Sequence, residues 1–247
     1  MKKTIRIMAV AAGLGLAAST QAATFVGSSG SLAAQVDFSV SGTSLTVVLA
    51  NTSLTPSTVP ADMLTAVFFN FAGAGTLTPV SAVLSPGSTV FHGTSDPGGV
   101  VGGEWGVASS LSGAPGGASY GISSTGIGLF GNANFPGSNL SGPGNGALDG
   151  PQFGIASAGS TAADGNPEVQ NNPFIHNSVT FTLTVPSGLS DSAISGIVFQ
   201  YGTSLTEPSF PGFPPEGGPV PDGGSTIALL GFALVGADIL RRKVVKA

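Results

Sequence analysis

Between residues 7 and 240 this chain of 247 residues has no Lys or Arg, yet all twelve of its acidic residues fall inside that interval. Such an interior must keep its carboxylates without Lys or Arg partners and, with no cysteine anywhere, must do without disulfide staples. Stability then has to come from apolar burial and hydrogen bonds, and the roughly 200 residues between the two ends are enough to bury a core. Ten of the acidic residues lie within residues 23–221: Asp37, Asp62, Asp96, Glu104, Asp149, Asp164, Glu168, Asp191, Glu207 and Glu216. No cation is there to displace phosphate counterions, which argues against nucleic acid as a partner, and adhesion to anionic lipid is disfavoured for the same reason. Self-repulsion keeps such a body soluble, and divalent cations can bridge copies of it.

The seven cations sit at the two ends, each cluster beside an apolar run. Lys2, Lys3 and Arg6 precede twelve apolar residues, 7–18, and then a small polar stretch, Ser19-Thr20-Gln21-Ala22-Ala23. That order describes a secretory signal peptide, because the apolar part is too short to span a bilayer. Cleavage is expected after Ala22, with Ala23 as the second choice, so residues 1–22 form the signal peptide and the Sec translocon and signal peptidase are expected partners. At the other end, residues 223–240 number eighteen and carry one charge, Asp238. As a helix they cover about 27 Å against a hydrocarbon core of about 30 Å, so a transmembrane helix is expected over about 224–240. Arg241, Arg242 and Lys243 then stop transfer on the cytoplasmic side, leaving 244–247 as a cytoplasmic tail. Asp238 lies three and four residues before Arg241 and Arg242, close enough on a helix to pair with them near the interface.

Directly before that run stands Val220-Pro221-Asp222-Gly223-Gly224. Motif, apolar run and basic cluster together, over residues 220–243, resemble the PEP-CTERM class of sorting signals in the variant that opens Val-Pro-Asp. The resemblance implies recognition and cutting by an exosortase, a membrane-embedded cysteine transpeptidase-like enzyme. It further implies a transient inner-membrane anchor and then a place at the cell surface or outside it, in a Gram-negative bacterium that makes exopolysaccharide. Asp238 departs from the class, which usually has a small or apolar residue there. Residues 45–71, 101–131 and 177–207 also resemble a β-rich ectodomain of exosortase-dependent surface proteins, which implies architecture and place but no activity.

The interior reads as strands. Ala34, Val36, Phe38 and Val40 alternate with Gln35, Asp37 and Ser39; a Ser41-Gly42-Thr43-Ser44 turn follows, then residues 45–51, which predicts a hairpin. Residues 64–71 are apolar on both faces, as in a central strand. Val179, Phe181, Leu183 and Val185 alternate with Thr180, Thr182 and Thr184, and residues 194–201 supply another strand. No amphipathic helical period appears outside the termini. The expected fold is all-β, an antiparallel β-sandwich or jelly-roll-like ectodomain over residues 23–206. Residues 207–219 hold five prolines in thirteen positions, which predicts a semi-rigid spacer rather than a strand. Glycine is concentrated in the stretch 93–170, with 21 of the 39 glycines, so regular structure is hardest to read there.

Chemistry is sparse. The only histidines are His92 and His176, no Gly-x-Ser-x-Gly elbow occurs, and Gly93-Thr94-Ser95-Asp96-Pro97 beside His92 reads as a polar turn. The glycine-rich loop Gly142-Pro143-Gly144-Asn145-Gly146 has the wrong spacing for a dinucleotide site. Glu104 beside Trp105 is the best carboxylate for glycoside chemistry, since an aromatic can stack on a sugar and raise a neighbouring carboxyl pKa; a strand-end Glu over a core Trp is the plainer reading. Asp164, Asn166 and Glu168 set oxygens at alternate positions, as the opening of a calcium loop does, but the rest of an EF-hand is absent and Asp-Gly and Asn-Pro form turns unaided. Calcium is the only cofactor these residues raise. The expected function is an exported structural or interaction protein of the surface or matrix, associated with exopolysaccharide or biofilm, and not an enzyme. A carbohydrate-binding sandwich and a secreted hydrolase are the rivals; the first needs exposed aromatics, and Trp105, Tyr120 and Tyr201 are the only Trp and Tyr.

Overall fold

A computed structural model describes residues 22–141, 146–148 and 150–215. Two sheets account for most of them. The first contains β1 (Ala23–Ser29), β2 (Leu32–Ser41), β3 (Ser44–Asn51), β5 (Thr78–Leu84) and β11 (Ser178–Thr184), in the order β1-β2-β3-β11-β5, every pair antiparallel. Alternating sequence produces it directly. Val36, Phe38, Leu45, Val47, Leu49, Val179, Phe181 and Leu183 are fully buried, while the Gln, Ser and Thr between them stay half-exposed. The β2–β3 turn closes over two residues, Ser41 pairing with Ser44, because Gly42 takes the left-handed φ of 61° that the turn needs.

The second sheet runs β13 (Ser209–Pro211), β12 (Ile194–Tyr201), β4 (Leu64–Phe71), β9 (Ile155–Ala156), β10 (Phe174–His176), β6 (Thr89–Phe91), with β8 (Tyr120–Ser123) beside β4 and β7 (Gly106–Ser109) beside β8. β4 is buried almost throughout, as its apolar residues on both faces predict for a strand covered on both sides. One pair, β9 with β10, is parallel, which departs from an all-antiparallel expectation. Between these two strands the chain passes through α1 (Pro167–Gln170) and returns in the same direction. The two sheets share one hydrophobic cluster, in which Phe38 meets Phe69 at 5.1 Å and Trp105 and Phe135 flank Phe181 at 4.9 and 5.4 Å. The result is a largely β-stranded domain of two sheets.

The spacer differs from expectation most clearly. Residues 209–213 are not a free linker: Ser209–Pro211 forms β13 on β12, and Phe213 exchanges two 2.8 Å backbone hydrogen bonds with Val26 of β1. The segment thus crosses from the edge of the second sheet to the edge of the first. Proline is tolerated because it enters through its carbonyl; Tyr201 N–H donates to the Pro208 carbonyl, and the missing proline donors belong to an edge strand. Other edges are covered as well. The Asn134 side chain accepts from Val107 N–H at 2.9 Å and donates to the Val107 carbonyl at 2.8 Å, mimicking one more strand beside β7. Leu84 N–H and Val101 N–H join β5 to residues 99–101. Among the described residues no helix is long and apolar enough to cross a membrane; the expected span over 224–240 lies outside them.

Candidate functional site

Most of the side chains that the sequence offers for catalysis or metal binding have partners within the fold. Trp105 is fully buried between the sheets, and Glu104 sits just ahead of it in a single helical turn. The Glu104 carboxylate turns toward the loop at residues 138–141, accepting from the backbone N–H groups of Leu140 and Ser141 and from the Ser141 hydroxyl at 2.7 Å. Three donors on one buried carboxylate make it a loop anchor. The plainer reading of the Glu104–Trp105 pair therefore describes the contacts seen.

Residues 164–168, the candidate calcium loop, lie in two turns. Asp164 accepts from the N–H of Thr161 at 2.7 Å and from its hydroxyl at 2.9 Å. Asn166 caps α1 by accepting from Val169 N–H at 3.0 Å. Glu168 is exposed in the first turn of α1. Among the described residues no three His, Asp or Glu side chains converge in a way that holds a metal ion. The Asp164 and Asn166 oxygens thus serve two successive turns.

Among the described residues neither histidine hydrogen-bonds a serine. The His176 ring stacks on Phe91 at 5.0 Å with Nε2 3.3 Å from the Ala158 carbonyl oxygen, and His92 is exposed with a left-handed φ of 57°. Asp96 accepts from Ser138 N–H at 2.8 Å. Of the aromatics, Tyr120 stacks on Phe69 at 5.8 Å and donates to the Gly75 carbonyl, while Tyr201 is fully buried and donates to the Ala33 carbonyl at 2.9 Å. Burial pushes the Tyr201 phenol well above its ordinary value. Trp105 and Tyr201 are thus spent on packing, and Tyr120 is half-buried against Phe69.

Three features escaped the sequence reading. Gln200, fully buried, directs its amide N–H groups at the carbonyls of Tyr201 and Ser204, at 2.8 and 3.0 Å, and so organises the loop after β12. Glu207, counted as spacer, accepts from Thr203 N–H and Ser204 N–H at 2.6 and 2.8 Å and closes that loop. Phe213 is the one exposed aromatic among the described residues, with 62 % of its surface accessible. The only available signal was its place among prolines, where a phenylalanine has few neighbours to pack on.

What remains is the tail. Val220, Pro221, Asp222, Gly223, Gly224 and the cluster Arg241, Arg242, Lys243 lie outside the described residues, as do residues 1–21 ahead of the expected cut; Ala22 is exposed and Ala23 is the first residue of β1. The chain enters the tail directly after the β13 crossing. Residues 219–244 match a family model described as the VPDSG-CTERM motif. No curated protein and no solved structure matches the chain. This chain thus bears a VPDSG-type CTERM sorting motif, consistent with an exosortase-dependent surface protein.

Proposed function

We propose that the protein is a non-catalytic structural or interaction component of the bacterial surface or extracellular matrix, delivered through its tail. The carrying observation is the motif at residues 219–244, which begins shortly after the last paired residue of the β domain. Signal peptidase removes residues 1–22, the apolar run at 224–240 holds the remainder in the inner membrane of a Gram-negative cell, and an exosortase cuts near 221–224. The β domain then passes to the surface or the exopolysaccharide. Support for a non-catalytic role comes from Glu104 and Asp164, both engaged by neighbouring donors. The acidic body fits a soluble surface module held clear of anionic lipid.

Intact-mass measurement of the surface fraction tests the route. Wild type should show loss of residues 1–22 and of everything after the motif. Replacing Arg241, Arg242 and Lys243 by Ala, or making Pro221→Ala with Asp222→Ala, should leave an uncut precursor in the membrane. An identical mature mass in these variants would refute the sorting mechanism.

A further inference from the structure

Where β1 meets the 209–213 crossing, an open cleft of about 610 Å³ lies on the surface. Val26, Pro211, Phe213 and Pro214 supply its apolar wall, and Ser28 and Thr52 supply hydroxyls. Its lining contains no ionisable side chain. Phe213 stands out at its rim with most of its ring in water, while its backbone is pinned by the reciprocal hydrogen bonds with Val26. Gly27 allows the close approach behind the cleft: a Cβ there would come within 2.5 Å of the Pro211 carbonyl oxygen. An exposed aromatic held on a fixed backbone suits binding, because little ordering entropy remains to be lost on contact.

Charge narrows the ligand. The described body carries carboxylates without a Lys or Arg, so it repels anions, and the cleft offers no carboxylate to fix a cation. An aromatic wall with hydroxyls beside it complements a neutral molecule that has one apolar face and a rim of hydroxyls. A pyranose ring has that shape, presenting its axial C–H face to the aromatic and its equatorial hydroxyls to the polar groups. We infer that the β1–Phe213 cleft is a subsite for a neutral sugar unit of a polysaccharide, with Phe213 as the stacking platform and Thr52 and Ser28 as hydrogen-bonding partners. The assignment rests on the matrix reading for its biological setting and names the ligand class of that domain.

The test uses the full chain in a zwitterionic, sugar-free detergent, titrated calorimetrically with cellohexaose, maltohexaose and, as an anionic comparison, a galacturonate oligomer. At least one neutral hexaose should bind, and the anionic oligomer should not. Phe213→Ala should weaken binding about tenfold, Phe213→Tyr should keep it, and Thr52→Val should weaken it while leaving the fold intact by circular dichroism. Val80→Ser, on the far edge strand β5, should bind as wild type does. Failure of both neutral sugars to bind, or wild-type binding by Phe213→Ala and Thr52→Val together, overturns the assignment. So does a Phe213→Ala effect confined to partition onto phosphatidylcholine vesicles or to concentration-dependent dimerisation. Because the assay needs no tail cleavage, a negative result here is separable from a failure of the sorting route, which the intact-mass experiment reads.

Discussion

Tyr201 places a phenol in the core, where its hydroxyl donates to the Ala33 carbonyl and reaches the Asn51 side chain at 3.4 Å. Asn51 in turn donates to the Ile155 carbonyl at 2.9 Å, so one buried amide links β3, β9 and β12. Tyr201→Phe should cost about 1 kcal/mol in urea unfolding, since the phenol's hydrogen bond to the Ala33 carbonyl is lost. The same residue sets an alkaline limit. Burial raises the folded phenol's pKa, so the unfolded chain releases this proton first as pH climbs past about 10, and stability falls from there upward. Below that pH the contribution is fully present. Unfolding free energies measured near pH 8 and pH 11 should therefore fall more steeply for wild type than for Tyr201→Phe; equal slopes would remove Tyr201 as the cause.

Among the elements, the crossing at 209–213 has the most to explain. It covers the outer edge of β1, which would otherwise present unpaired backbone groups to other chains. Val26→Pro removes the donor to the Phe213 carbonyl, and should lower stability by about 1–2 kcal/mol and raise light scattering on mild heating. A variant as stable and as clear as wild type would show that the crossing contributes nothing. Strands β2, β3 and β11 were legible because each states its burial in a period of two, and β4 because it is apolar on both faces. β13 was not, because the proline rule considers the missing donor, whereas Pro208 serves through its carbonyl at an edge. The partners of Glu104 were equally hidden: Leu140 and Ser141 lie 36 and 37 residues away, and no local pattern links such positions. The tail could be read without any fold, since its signal is a short motif, an apolar length and a charge cluster in fixed order.

For the molecule as a whole, every buried hydrophobic residue among those described lies between Ala34 and Phe210. That core is large enough that residues 23–215 are expected to fold alone. In calorimetry their Tm should lie within about 2 °C of the full chain's, the shift expected from less than about 1 kcal/mol in a domain this size. A markedly lower Tm would mean that residues beyond 215 contribute to the core.

The order of the strands also sets a timetable. The central position between β3 and β5 is filled by β11, near residue 180, and the seam beside β1 is closed by Phe213. A polypeptide threaded amino end first through a narrow pore has β1 to β5 on the far side long before either piece arrives. The early strands lack their middle neighbour until three-quarters of the chain has passed. For an exported chain this order disfavours locking on the near side, because the pieces that complete the architecture are among the last to be made.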